Sequence, residues 1–140
     1  MKLLPPTPIG AAISPAVASV PVVLNASPVN LTVQATFAYG SGGATVDAYV
    51  QTTFDGGVTW QDVANFHFTT AAAREIINLD AKTPVTTQVS GSDGALAANT
   101  AQDGILGPQL RVKYQSSGTY AGATSLRIDI ASIDLPAFPA

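Results

Sequence analysis

Apolar and polar residues alternate along most of the chain, with the two-residue period of a strand that buries one face. In segment 31–39 the odd positions are Leu, Val, Ala, Phe and Tyr, and most even positions are polar. Segment 46–54 alternates in the same way, with Val46, Ala48, Val50, Thr52 and Phe54 on one side. Segments 110–114 and 126–130 repeat the pattern. Each of these segments is predicted to form a β-strand with one face toward a core.

Shorter runs at 20–24, 60–68, 74–80 and 83–90 are further strand candidates. One helical turn at 71–77 (AAAREII) is the only helical candidate. Short strands spaced by roughly ten residues are typical of sandwiches and barrels. The sequence therefore predicts an all-β fold, an antiparallel β-sandwich of jelly-roll-like type with about seven to nine strands. An immunoglobulin-like sandwich would give the same pattern, so the strand order stays open.

Proline is concentrated in residues 1–20, at positions 5, 6, 8 and 15. Because proline fixes φ and favours an extended predecessor, this segment is predicted to be an extended N-terminal arm. The arm has one charged residue and several apolar ones, which suggests that it docks on a partner instead of remaining solvated. The expected partner-binding residues are Leu3, Leu4, Ile9, Ile13 and Val17. The predicted organisation is an arm at 1–20, a β-sandwich domain at 21–135 and a C-terminal tail at 136–140, and deletion of residues 1–19 is expected to leave the domain folded.

The stretch TFDGGVTW (53–60) lies between two alternating segments. Gly56 and Gly57 supply the positive φ of a tight turn, and the Asp55 carboxylate and the Thr59 hydroxyl can bond the turn backbone. Trp60, the only tryptophan, is expected to begin the return strand and to pack over the base of the hairpin. These five residues are predicted to be a structural hairpin.

Composition narrows the class of protein. Apolar residues make up 46% of the 140 residues and charged residues only 11%, which argues against disorder and fits a folded surface partly covered by other protein. The net charge is −3, with no basic patch and no long apolar run, so neither nucleic acid nor a membrane is an expected partner. Cysteine is absent, which excludes disulfides and thiolate chemistry.

Candidate catalytic or metal-binding chemistry is sparse. The only histidine, His67, lies on the opposite strand face from Phe66 and Phe68, and no serine lies in a nucleophile motif. We therefore expect a surface or interface histidine, no enzyme activity and no cofactor. The Gly91–Gly107 segment is a long loop that is either flexible or functional. Its Asp93 and Asp103 are weak candidates for a calcium site, because they lack dense alternating oxygen ligands.

The stretch at 53–60 resembles the Asp-box of sialidases and related β-proteins, Ser-x-Asp-x-Gly-x-Thr-Trp, with Thr53 at the Ser position. In sialidases the box is a folding element that recurs around a propeller and lies away from the catalytic centre. A single copy in a short chain whose three arginines are isolated does not predict sialidase activity.

The hairpin VQTTFDGGVTWQDVANFHF together with the C-terminal block GPQLRVKYQSSGTYAGATSLRIDIAS resembles small structural proteins of tailed-bacteriophage particles. That resemblance implies a non-catalytic β-sandwich of the virion, most specifically a head decoration (cement) protein. Such a protein is made in the host cytoplasm, sits on the capsid surface as a homotrimer, and binds the major capsid protein.

Two alternatives remain open. The first is a tail or fibre-associated virion module. The second is a carbohydrate-binding β-sandwich, which needs exposed aromatic rings. The candidate rings are those of Trp60, Tyr39, Tyr49, Tyr114 and Tyr120. Among them Tyr120, in a Gly-rich turn, is expected to be the clearly exposed one.

Overall fold

A computed structural model of the chain describes residues 1–24 and 29–133. The described residues contain eleven β elements, seven of them long and four of them two residues each. In chain order these are β1 (Lys2–Pro8), β2 (Val17–Ala18), β3 (Val22–Val23), β4 (Asn30–Ala38), β5 (Ser41–Gly42), β6 (Thr45–Thr53), β7 (Gln61–Phe68), β8 (Ala73–Asp80), β9 (Gln109–Ser117), β10 (Tyr120–Ala121) and β11 (Ser125–Ile133).

The long strands form two antiparallel sheets. The first sheet has the order β1-β11-β4-β8, and the second has the order β2-β9-β6-β7, with β3 also pairing with β9. Elements β5 and β10 make a small separate ribbon. The predicted all-β antiparallel sandwich is confirmed. The predicted helical turn at 71–77 is wrong, because residues from Ala73 onward belong to β8 and pair with β4.

Alternating side chains from both sheets meet in one core. Leu31, Val33, Ala35 and Phe37 of β4 are fully buried, as their alternation predicts. Phe37 stacks on Phe68 of the other sheet with ring centroids 5.0 Å apart. In β6 the predicted inward residues Val46, Ala48, Val50 and Thr52 are buried, but the other face is also buried from Tyr49 onward, so this strand is covered on both sides. The core cluster extends over β1, β4, β6, β7, β8, β9 and β11.

Phe54 departs from this pattern, since 61% of its surface is exposed. Strand β6 ends at Thr53, and Phe54 is the first residue of the following turn. Alternation assigns a residue to a face only while the strand continues, so the prediction that Phe54 faces the core is wrong.

The predicted N-terminal arm is not a separate arm. Its first part is β1, which pairs with β11 through Leu4 opposite Ile128 and Thr7 opposite Leu126. Leu3, Leu4 and Ile9 are buried in the core. The prediction that these three side chains contact another molecule is therefore wrong. The extended conformation was anticipated correctly, but the strand completes its own sheet, where an edge position tolerates prolines.

The rest of the predicted arm also belongs to the sandwich. Ile13 is half-buried against the core, and its N–H donates to Ser116 Oγ at 2.9 Å. Val17 lies in β2 opposite Tyr114 and keeps an exposed face. The domain boundary predicted at residue 20 is wrong, because β1 and β2 are strands of the two sheets. The predicted tail at 136–140 lies outside the described residues.

Candidate interaction surface

The turn after β6 and the long connection between β8 and β9 meet at one end of the sandwich. Thr53 at the end of β6 is paired with Gln109 at the start of β9. The connection returns to β6 at Gly107, whose N–H donates to Thr52 Oγ1 at 2.8 Å. A Cβ at Gly107 would overlap the carbonyl of Thr53, so only glycine permits this approach. The two segments therefore form one surface.

The turn at 54–60 has the predicted hairpin chemistry. The Asp55 carboxylate accepts hydrogen bonds from the Thr59 hydroxyl at 2.6 Å and the Thr59 N–H at 2.9 Å. Thr53 Oγ1 donates to Asp55 Oδ1 and accepts from the Gly57 N–H, both at 2.9 Å. Gly56 and Gly57 have φ of +73° and +96°, the region that favours glycine. Asp55, Gly56, Gly57 and Thr59 thus have the predicted structural roles.

These bonds stabilise the charged form of Asp55. The Thr59 hydroxyl is the main cause, and together with the Thr59 N–H and the Thr53 hydroxyl it lowers the pKa of Asp55 to about 2 from its ordinary 3.8. Because the folded-state pKa is depressed, the stabilisation by this turn is present above the unfolded-state pKa. It is lost as the pH falls through the folded-state value.

We expect an NMR titration of the Asp55 carboxyl to give a pKa of about 2. In Thr59→Val, which removes the hydroxyl donor and keeps the size of the side chain, the pKa should move back toward 3.8. Thr59→Ser keeps the hydroxyl donor and is the matched control. An unchanged Asp55 titration in Thr59→Val would show that the turn bonds do not set this pKa.

Trp60 differs from its prediction in position. It precedes β7 and is half-buried on the surface, and it is not part of the core cluster. The guanidinium carbon of Arg111 lies 4.3 Å from the centroid of the ring, a cation–π contact. The ring also reaches the turn, where a Cβ at Gly57 would lie 3.7 Å from it. Trp60 therefore connects the hairpin to β9.

Asp62 was not singled out from the sequence, yet it is the centre of the best-bonded polar site. Its side chain is fully buried, and its carboxylate accepts the N–H groups of Gly94 and Ala95 at 2.9 Å and of Leu96 at 3.1 Å. Gln51 Nε2 adds a further bond at 2.8 Å. The carboxylate holds residues 94–96 of the long connection against the sheet. No local sequence signal marks this pairing, because the partners are more than thirty positions apart.

Asp93 continues this polar network across the sheet. Its Oδ1 accepts from Gln51 Nε2 at 2.6 Å and from Lys113 Nζ at 3.1 Å, and Arg111 lies 3.7 Å away. Partial burial raises the pKa of Asp93, but the bonds from Gln51 and Lys113 and the charges of Lys113 and Arg111 outweigh it, so the pKa is lowered. Asp93 is therefore already neutralised by cationic side chains.

Asp93 and Asp103, the two candidate calcium ligands, have separate roles. Asp103 accepts the N–H groups of Asp80 and Gly104, far along the connection from the Asp93 network. Within residues 1–24 and 29–133 no cluster of three or more His, Asp or Glu residues could hold a metal ion. In the same part of the chain no helix is long and apolar enough to cross a membrane.

Exposed apolar side chains surround this end of the molecule. We call Phe54, Val58, Val85 and Val89 the apolar rim; Val58 is 82% exposed and Val85 is 40% exposed. A groove of about 470 Å³ lies between Phe54, Val58, Trp60 and Asp93. A second groove of about 350 Å³ separates Phe54 from Val85 and Val89. Phe54 forms the ridge between the two grooves.

His67 is half-exposed and bonded to the fold. Its ring Nδ1 lies 2.8 Å from Asp47 Oδ1, and its backbone N–H donates to Asn99 Oδ1 at 3.1 Å. In the described residues no Ser or Thr hydroxyl is hydrogen-bonded to His67, so a nucleophile–base pair is not formed there. The His67–Asp47 pair and Asn99 fix the edge of β7.

The tyrosines do not form the aromatic platform of a carbohydrate site. Tyr120, expected to be exposed, is 2% exposed, and its hydroxyl donates to the Thr69 carbonyl at 2.7 Å. That prediction is wrong because the Gly-rich turn folds back and sets the ring edge-on against Phe37 and Tyr39. Tyr49 is also buried. Among the five aromatic candidates only Trp60 lines a groove of the candidate surface.

Comparison of the chain with protein-family models, with curated proteins and with solved structures gives no match. The function is therefore inferred from the residues of the chain itself.

Proposed function

We propose that the protein is a non-enzymatic structural component of a phage-like virion, a head decoration (cement) protein that binds and stabilises the capsid surface. The observation that carries the proposal is the apolar rim. Four large apolar side chains project from two connections on a chain whose charged content is 11%. Exposed apolar groups that share one end of a soluble fold mark a protein-binding surface.

The hydrogen bonds that fix the two connections carrying the apolar rim support a binding role. The Asp55 bonds fix the hairpin that carries Phe54 and Val58. Further along the connection that carries Val85 and Val89, residues 94–96 are fixed by Asp62. A contact surface that is ordered before binding loses little conformational entropy on binding. A low entropy cost suits a protein present in many copies on a particle, because contacts that are individually modest give strong total binding when they are repeated.

We also infer a jelly-roll arrangement of the sandwich. If β2 and β3 are taken as one interrupted strand and the short β5 and β10 are left aside, eight strands remain. Numbered along the chain, they lie in the order 1-8-3-6 in one sheet and 2-7-4-5 in the other. A two-sheet fold of eight strands built from two Greek keys gives this order, and capsid proteins use it repeatedly.

The proposed partners follow from the resemblance to phage structural proteins. They are the major capsid protein, bound through the apolar rim, and further copies of the chain in a homotrimer. The proposed location is the capsid surface of the virion, after synthesis in the host cytoplasm. No cofactor, nucleic acid or membrane is needed for this role.

The test is binding to purified capsids that lack the protein, measured by co-sedimentation. The double variant Phe54→Ser, Val58→Ser should bind at least about tenfold more weakly, because both apolar contacts are lost. Val20→Ser is the matched control, since Val20 is 83% exposed and lines a separate groove with Lys2 and Pro5. No binding by the wild-type chain, or equal binding by the rim variant, would reject the proposal.

A tail or fibre-associated virion module is the closest alternative, and electron-microscopic localisation on particles separates head from tail. A carbohydrate-binding role has one observation in its favour. The groove between Phe54 and Trp60 also offers Gln61 and Asp93, an aromatic and hydrogen-bonding combination that sugars can use. A glycan array distinguishes this role, because the decoration role predicts no signal on it.

A further inference from the structure

Among the described residues, three of the four edges of the two main sheets are protected against pairing with another chain. Strand β1 carries Pro5, Pro6 and Pro8 and two register shifts, and proline and bulges both interrupt an edge. Strand β7 is covered by the long connection, since the Gln102 N–H donates to the Val63 carbonyl at 2.8 Å. The third edge consists of β2 and β3, which are two residues each.

Strand β8 is the fourth edge, and within residues 1–24 and 29–133 it has none of these devices along most of its length. It has eight residues, without proline and without a register shift against β4. Ile76, at its centre, is 56% exposed. Natural proteins rarely leave a long edge strand open. The exposed charges of Arg74 and Glu75 limit which registers can form but leave the backbone groups free, so β8 can pair with a partner strand.

The hydrogen-bond pattern shows which backbone groups of β8 face outward. The Ala81 N–H donates to the Val29 carbonyl of the neighbouring chain segment. The Asp80 N–H and carbonyl instead bond Asp103 and Gly104, on the outer side. In an antiparallel strand both groups of a residue point to the same side, and the sides alternate. Arg74, Ile76 and Asn78 therefore present their backbone groups to the open edge.

We propose that β8 pairs with β8 of a second copy of the chain, antiparallel, with Ile76 opposite Ile76 on a two-fold axis. In this register Arg74 of each copy faces Asn78 of the other. All these residues have outward-facing backbone groups, so each pair exchanges two N–H···O bonds. The Ile76 side chains lie on the outer sheet face, beside Gln34 of β4, and cover each other.

The neighbouring registers are less favourable for stated reasons. Moving Ile76 to face Arg74 places Glu75 directly opposite Glu75, and like charges in that position are destabilising. Moving Ile76 to face Asn78 requires the backbone groups of Asp80, which Asp103 and Gly104 already occupy. The central register also places Glu75 opposite Ile77 and avoids both problems.

This contact is separate from the apolar rim and goes beyond the proposed function. A two-fold contact through β8 can join two copies alone or can join copies that belong to different trimers. Loss of the β8 contact and loss of capsid binding are therefore distinct results.

Analytical ultracentrifugation over a range of concentrations tests the proposal. The wild-type chain should associate through β8, either as dimers or as pairs of trimers. Ile76→Lys, which places two ammonium groups face to face, should weaken the association at least about tenfold. Ile76→Pro removes only an outward-facing N–H and should act in the same way while the chain stays folded. Val58→Lys is the matched control, since it adds the same charge at an exposed site on the rim.

An introduced cysteine tests the register of the β8 pair directly. Because the chain has no cysteine of its own, only the introduced residue can form the cross-link. Ile76→Cys should form an intermolecular disulfide on mild oxidation, since opposite Cα atoms in such a pair are about 5.5 Å apart. Gln34→Cys lies on the same face one strand inward and should not. A wild-type chain that does not associate, equal association of Ile76→Lys, or equal cross-linking at both positions would overturn the proposal.

Discussion

A chain that begins at residue 10 should fail to fold. Deletion of residues 1–9 removes β1, takes Leu3, Leu4 and Ile9 out of the core, and leaves the long strand β11 as a bare edge. Truncation of one buried leucine to alanine costs about 2–5 kcal/mol. The free energy of unfolding of a typical domain is only about 5–15 kcal/mol. The deletion should therefore abolish the cooperative thermal transition measured by circular dichroism.

Point variants make the same prediction quantitative. Leu3→Ala and Leu4→Ala should each lower the free energy of unfolding by about 2–5 kcal/mol in urea titrations. Lys2→Ala is the control in the same strand, because Lys2 is exposed, and it should be near neutral. A truncated chain that unfolds cooperatively like the full chain would show that β1 is a dispensable arm after all.

Asp62→Ala should release the long connection from the sheet. The change leaves the N–H groups of residues 94–96 and the Gln51 amide without their acceptor. Unmade buried hydrogen bonds cost about 1–3 kcal/mol each. Since the connection can open and let water reach these groups, we expect a total loss of about 3 kcal/mol. Hydrogen exchange at Gly94, Ala95 and Leu96 should become at least about tenfold faster.

Two controls separate the role of the carboxylate from the role of its volume. Asp62→Asn keeps the size but turns one acceptor into a donor, so it should give an intermediate effect. Asp103→Asn alters an exposed carboxylate elsewhere on the same connection and should leave exchange at residues 94–96 unchanged. Slow exchange at those residues in Asp62→Ala would show that other contacts hold the connection.

The structure explains why alternation predicted the sandwich well. Strands β4, β9 and β11 each contribute one buried face, and a side-chain period of two is visible in the sequence itself. The Asp55 hairpin was also predictable, because its hydrogen bonds connect residues no more than four positions apart. Local chemistry of this kind is complete within the segment that shows it.

Three of the failures, at the N-terminal segment, Tyr120 and Asp62, share one physical origin. Residues 1–20 have the composition of an extended segment, but composition does not state which surface such a segment lies on. Leu4 meets Ile128, more than a hundred positions away. Tyr120 lies in a Gly-rich turn, and only the approach of Phe37 and Tyr39 buries its ring. Asp62 likewise depends on N–H groups from a distant loop.

By itself the sequence determined most of the long strands, the Asp55 hairpin and the absence of thiol chemistry, because these depend on residues that are neighbours in the chain. Only the tertiary structure decided that β1 closes its own sheet and that Asp62 fixes the long connection. It also placed the four exposed side chains of the apolar rim at one end of the sandwich and β8 at the edge of its sheet. These features depend on which distant segments meet, and in a β-sandwich nearly every stabilising contact joins residues that are far apart in the chain.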